Sequence, residues 1–157
     1  MLKPWMVIGG VTLLVALTAN IIRPKDVNWF RRLERPRWLV IEPLIPLIWT
    51  IVLICGAWSA HAVWVSNPNQ PQTWAMMGFY LLLELVIVAY TPAMFWSHRL
   101  SVGAYLGLAG CVLGVILAIW VAQVSMGPAL LLLPYLLWNP IGTYATWEMS
   151  KLNPEAA

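Results

Sequence analysis

From Leu100 to Trp147 the chain carries no Asp, Glu, Lys or Arg. A bilayer's hydrocarbon core is crossed by about 20 apolar residues, so this run is more than twice what one helix needs. It must therefore fold back on itself, and its one polar break, Gln123-Val124-Ser125-Met126-Gly127-Pro128, places the turn. A water-soluble domain carries roughly a quarter charged residues. Here 10% of the 157 residues are charged and 61% are apolar, with a mean hydropathy of +0.77. Too little polar surface is available to solvate a globule, which points to an integral membrane protein and excludes disordered, collagenous, disulfide-framework and ordinary cytosolic classes.

Other apolar stretches follow the same logic. Residues 5–22 are uncharged and stop at Arg23-Pro24, 43–65 are uncharged up to a Ser66-Asn67-Pro68-Asn69-Gln70-Pro71 turn, and 73–97 hold only Glu84. With 100–123 and 128–149 the expectation is one all-α domain over 1–157, a bundle of five transmembrane helices with a long loop at 23–42. Backbone groups in lipid must be satisfied internally, and the period-two alternation of a barrel is absent.

The nine Lys and Arg residues orient the bundle. Five spans put Arg23, Lys25, Arg31, Arg32, Arg35, Arg37, Arg99 and Lys151 on one face and leave Lys3 on the other. By the positive-inside rule the N-terminus is outside and the C-terminus cytoplasmic. The same bias argues against a cleaved signal peptide at 1–20, because cleavage would send six basic residues at 23–37 across the membrane.

No G-x-S-x-G, P-loop, H-E-x-x-H or dinucleotide fingerprint appears. His61 and His98 are isolated and Cys55 and Cys111 lie in apolar runs, so no catalytic residue, metal or required cofactor is expected, and no nucleic-acid partner. Glu84 is the exception inside a span. A carboxylate at bilayer depth marks a ligand or proton site, or else a hydrogen bond to a neighbouring helix. Tyr80, Glu84, Val88 and Thr91 share its face at helical spacing.

Of eleven tryptophans, Trp5, Trp29, Trp64, Trp74, Trp96 and Trp147 sit near span ends, where indole suits the interface. Trp49, Trp58, Trp120 and Trp138 lie deeper. Tyr135, Trp138 and Gly142 fall on one helical face, so two rings beside a glycine offer a flat slot for a planar ligand, with ordinary packing as the competing reading. Gly103, Gly107, Gly110 and Gly114 make two G-x-x-x-G pairs for close helix contact, within the bundle or with a second copy. Prolines at 36, 43 and 46 discourage a plain helix in the first loop. Its Arg and Trp residues suit a lipid-surface anchor or a lid over a cytoplasmic pocket.

Taken in order, Trp29, Leu33, Arg35, Pro36 and Trp38 of the loop, Trp49, the Tyr90-Thr91-Pro92-Ala93-Met94-Phe95-Trp96 segment, Pro134, Tyr135 and Trp138, and the closing Leu152-Asn153 resemble the translocator protein (TspO, tryptophan-rich sensory protein) family over residues 28 to 153. The chain departs from that pattern at Val40-Ile41, where a Pro-Pro is usual, at Leu83 and Ile87, where Gln and Asn are usual, and at Ala145-Thr146, where Leu-Asn is usual. It is similar to a divergent bacterial member.

The resemblance implies a five-helix bundle, often a homodimer, with a pocket near the cytoplasmic end under the first loop. It implies tetrapyrrole ligands (porphyrin, haem or bilin) and a bacterial cytoplasmic or internal photosynthetic membrane. The resulting ligand-binding set is Trp29, Arg35, Pro36, Trp38, Trp49, Glu84, Tyr135, Trp138 and Gly142. In it Trp49, Tyr135 and Trp138 stack on the macrocycle, Gly142 leaves room, and Arg35 and Arg37 face propionates. The reading is a membrane receptor or regulator, with transport or stress signalling as its output. Behind it stand a proton-coupled transporter centred on Glu84, light-dependent porphyrin degradation through Trp49 and Trp138, and a partner-binding subunit using the glycine helix.

Overall fold

A computed structural model describes residues 3–19 and 21–157. Its elements are all helical: α1 (Pro4–Thr18), α2 (Pro24–Arg31), α3 (Ile45–Ser66), α4 (Pro71–Ser97), α5 (Leu100–Val124), α6 (Met126–Leu130) and α7 (Leu133–Leu152), with 3-10 turns at Glu42–Leu44 and Pro154–Ala156. No strand occurs among the described residues. Among the described residues, three helices are long and apolar enough to cross a membrane: α3 with its leading 3-10 turn, α4 and α5.

The expected segments change in three places. The first span ends at Thr18 rather than 22, and its 15 residues reach about 22 Å, short of a ~30 Å core. The segment 128–149 divides into α6 and α7, and α7 runs on to Leu152. The 23–42 loop contains α2, because Pro24 occupies the first helical position, where its missing N–H costs nothing, and Asp26 and Arg31 complement the two ends of the dipole. Pro36 comes too late to prevent that helix.

The centre of the bundle is α5 lying along α4 and α7. Small residues set this contact. A Cβ at Gly103 would meet Met94 Sδ at 2.7 Å, one at Gly110 would meet the Tyr135 hydroxyl at 2.6 Å, and those at Gly107 and Gly114 would run into Thr143 and the Tyr135 ring. The glycine face is therefore consumed inside the chain. Gly56, by contrast, has open space beside it. Helix α1 is peripheral: Thr12 is its one buried side chain among the described residues, and the Thr12 hydroxyl donates to Glu84 Oε1 on α4.

Side chains also gather α2, the α4–α5 turn and the chain's last residues at one end. Leu33, Met94, Phe95, Leu100, Met149 and Ala156 form a buried cluster there, flanked by Trp29, Phe30 and Tyr90. Helix α4 ends at His98 in the left-handed region (φ 53°), with Arg99 N–H reaching Met94 O and His98 N–H reaching Phe95 O. That is the Schellman pattern, filled by His rather than the usual Gly.

Candidate functional site

Two crevices open inside the bundle, and Tyr135 of α7 lines both. The first is bounded by Trp49 of α3, Ile87 and Tyr90 of α4, Gly107 and Gly110 of α5, and Tyr135 and Asn139 of α7. Trp49 and Tyr135 form a tilted aromatic pair with centroids 6.4 Å apart. Gly107 and Gly110 leave the α5 wall bare of side chains, and Thr143 and Tyr135 of α7 pack directly against them. Asn139 is anchored there by donating to Gly107 O (2.9 Å) and to Cys111 Sγ (3.1 Å). Tyr90 closes the same space through a short hydrogen bond to Thr146. The Tyr135 hydroxyl is buried and has no partner among the described residues, an expensive state for a donor unless something supplies an acceptor.

The second crevice holds Val52, Gly56, Tyr80, Glu84 and Leu132 against the other side of Tyr135. The polar stripe expected along α4 is distributed here among separate partners. Tyr80 pairs with Ser59 (2.6 Å), whose hydroxyl donates to Pro128 O (2.7 Å), and Glu84 accepts from Thr12. Val88 is buried.

These spaces are small. The first has a volume of about 10 Å³ and the second about 30 Å³, room for a water but not for a planar ligand, whose pockets run to roughly 300–1,000 Å³. A larger cavity, about 490 Å³, lies at the opposite end, between Val63, Asn67, Gln70, Thr73, Met76 and Val124. Its walls are neutral amides and aliphatics, without a ring to stack on or a charge to pair, so the aromatic crevice is the better candidate despite its size.

The nine sequence-selected residues separate into three groups. Trp49, Tyr135 and Glu84 line the crevices. Trp29, Arg35, Pro36 and Trp38 belong to the cover at the α2 end. Trp29 packs on Phe95 (6.2 Å) and stacks on His98 (4.9 Å). Trp38 lies over Tyr144 (5.8 Å), with its indole N–H on Glu148 Oε2 (2.5 Å). Arg35, expected to face a propionate, is paired with Glu42 (2.8 Å) and sits over the Phe30 ring, whereas Arg37 is exposed and forms no ion pair among the described residues.

Trp138 and Gly142 form the third group, and neither lines the two crevices. Trp138 is buried, and its Nε1 has no partner among the described residues. Nothing lies within 4 Å of a Cβ built on Gly142. Sequence spacing shows which residues share a face of α7, not which face meets α3, so Tyr135 pairs with Trp49 instead. Tyr90 and Asn139 were missed by the sequence reading; an amide in the middle of an uncharged run was the signal for Asn139.

The cover is pinned by electrostatics. The Asp26 side chain is fully buried, with Arg23 Nε on one oxygen (2.7 Å) and His98 Nε2 on the other (3.0 Å). Burial pushes its carboxyl upward, but the hydrogen bonds and charges of Arg23 and His98 together prevail and hold it below the ordinary carboxylate value of 3.8.

The TspO/MBR family model matches residues 7–152. The chain is similar to the "Tryptophan-rich protein TspO" of Bacillus cereus, 24% identical over 98% of this chain and 99% of that one. The protein of the same name in Chlorobaculum tepidum is 26% identical over 92% of each chain. "Protein CrtK" of Rhodobacter capsulatus is 26% identical over 80% of this chain and 79% of its own length.

Proposed function

This chain belongs to the TspO/MBR family, and from that premise we propose that it is a membrane receptor or regulator for a tetrapyrrole, held in the aromatic crevice between α3, α4, α5 and α7. One observation carries the reading: the crevice flanked by Trp49 and Tyr135 presents a buried hydroxyl with no partner among the described residues, beneath a cover rich in aromatic and basic residues. Rings at that spacing can grip a macrocycle face, and the free Tyr135 hydroxyl can donate to an acceptor on it. The cation for a propionate is Arg37, since Arg35 is committed to Glu42. Entry requires the crevice to widen, so the cover and the neighbouring helix ends must part first.

The proposal includes five spans, with α1 and α7 joining the three long helices, the basic end in the cytoplasm of a bacterial cell, and a homodimer whose contact lies away from the α5 glycines. Glu84 has a partner in Thr12, which supports reading it as a hydrogen bond between neighbouring helices.

A dark titration of detergent-purified protein with protoporphyrin, haem and a bilin tests the reading, following ligand absorbance and tryptophan quenching. One saturable site per chain is expected. Trp49→Ala should weaken it by about 2- to 12-fold, the worth of an aromatic contact of ~0.5–1.5 kcal/mol, and Trp138→Phe should leave it unchanged. Unsaturable partitioning shared by wild type and Trp49→Ala would overturn the assignment.

A further inference from the structure

We infer that the cavity at the end of the bundle opposite the basic residues is a second binding site, separate from the aromatic crevice, and that it takes an uncharged polyhydroxyl group, a sugar either free or carried as a lipid headgroup. At about 490 Å³ it falls within the ~300–1,000 Å³ of small-molecule sites, as the two crevices do not.

The α3–α4 turn builds it. Helix α3 stops at Ser66 and α4 starts at Pro71, with Asn69 between them in the left-handed region (φ 62°), a conformation that Asn tolerates. The Thr73 hydroxyl, buried on the first turn of α4, donates to Asn67 O (2.6 Å). That bond closes the turn through the Asn67 backbone, so the Asn67 side-chain amide is uncommitted among the described residues, as are those of Gln70 and Gln72. Val63 and Met76, each 1% exposed, form the floor with Val124 at the end of α5.

The lining selects by chemistry. A carboxamide carries two N–H donors and a carbonyl acceptor, which matches the mixed donor and acceptor character of a hydroxyl. Three of them over an aliphatic floor suit a ring that presents hydroxyls at its edge and C–H groups on its face. No Asp, Glu, Lys, Arg or His lines the space, so an ionic group would lose water there without gaining a counter-charge. Trp64 and Trp74, next in sequence to the lining residues Val63 and Thr73, pack edge to face with centroids 4.7 Å apart. Indoles favour the membrane–water interface, which puts the cavity at headgroup depth.

Native mass spectrometry of the full chain, released from a polyoxyethylene detergent that carries no sugar, tests this. The probes are monoglucosyl diacylglycerol, phosphatidylglycerol and diacylglycerol with the same acyl chains. One glucolipid per chain should be retained, about tenfold more tightly than either of the others. Gln70→Leu and Gln72→Leu should each weaken it by about 2- to 12-fold, the worth of one uncharged hydrogen bond, with the melting temperature unchanged. Val124→Phe keeps the amides, fills the floor and should abolish retention. Displacement by free glucose would assign a soluble sugar, whereas retention against glucose would assign the lipid headgroup. Equal retention of all three lipids, a preference for phosphatidylglycerol, or glucolipid affinity unchanged in all three variants would overturn the site.

Discussion

At the scale of single residues, Asp26 shows how a charge is made tolerable without solvent. Both oxygens are bonded, one to the Arg23 guanidinium and one to the His98 ring, as burial of a carboxylate demands. Its folded-state value lies below its unfolded one, so its contribution to docking α2 is present above about pH 4 and is lost as pH falls through the depressed folded value. Acid titration followed by hydrogen exchange of α2 should show protection falling below about pH 4 in wild type and a flatter profile in Asp26→Asn. Local sequence marks neither the burial of Asp26 nor its second partner, since Arg23 is a near neighbour but His98 lies 72 residues away. Trp49 and Tyr135 were legible as deep aromatics; that they face each other was not.

Among elements, α5 is the most revealing. Its glycines were readable as a contact face, but the sequence left open whether the partner was a second copy. Thr143 and Tyr135 of α7 fill that face, which settles it. Gly107→Val should therefore destabilise the bundle by about 1–3 kcal/mol through overpacking, whereas Gly142→Ala, with open space around it, should be neutral or stabilising by up to about 1 kcal/mol. Thermal unfolding of both variants in one detergent checks the contrast. Helix α2 was missed because prolines in the same segment outweighed the capping signals at Pro24 and Asp26. The α6–α7 break was missed because Leu130-Leu131-Leu132-Leu133 offers no polar punctuation.

On the scale of the whole molecule, the basic residues and the polar clamps occupy the same end. Arg23, Arg35 and Arg99 sit at the turns around the α2 cluster, while the 66–71 turn and the α5–α6 link lie at the other end. If that basic end is cytoplasmic, a cysteine replacing Asn69 in intact cells should react with an impermeant maleimide, and one replacing Arg37 should react only after the membrane is opened. The reverse pattern would invert the proposed orientation.

The sequence by itself determined the solvent. Uncharged runs, their Pro- and Asn-marked turns and the segregation of Lys and Arg act through hydrophobicity and local backbone preference, which need no knowledge of neighbours, and the ordered aromatic motifs placed the chain in its family. Tertiary structure decided which helical faces meet. It paired Tyr135 with Trp49, spent Glu84 on Thr12 and tied Asn153 to Glu34, because each of those contacts joins residues whose separation in sequence carries no trace of their approach in space.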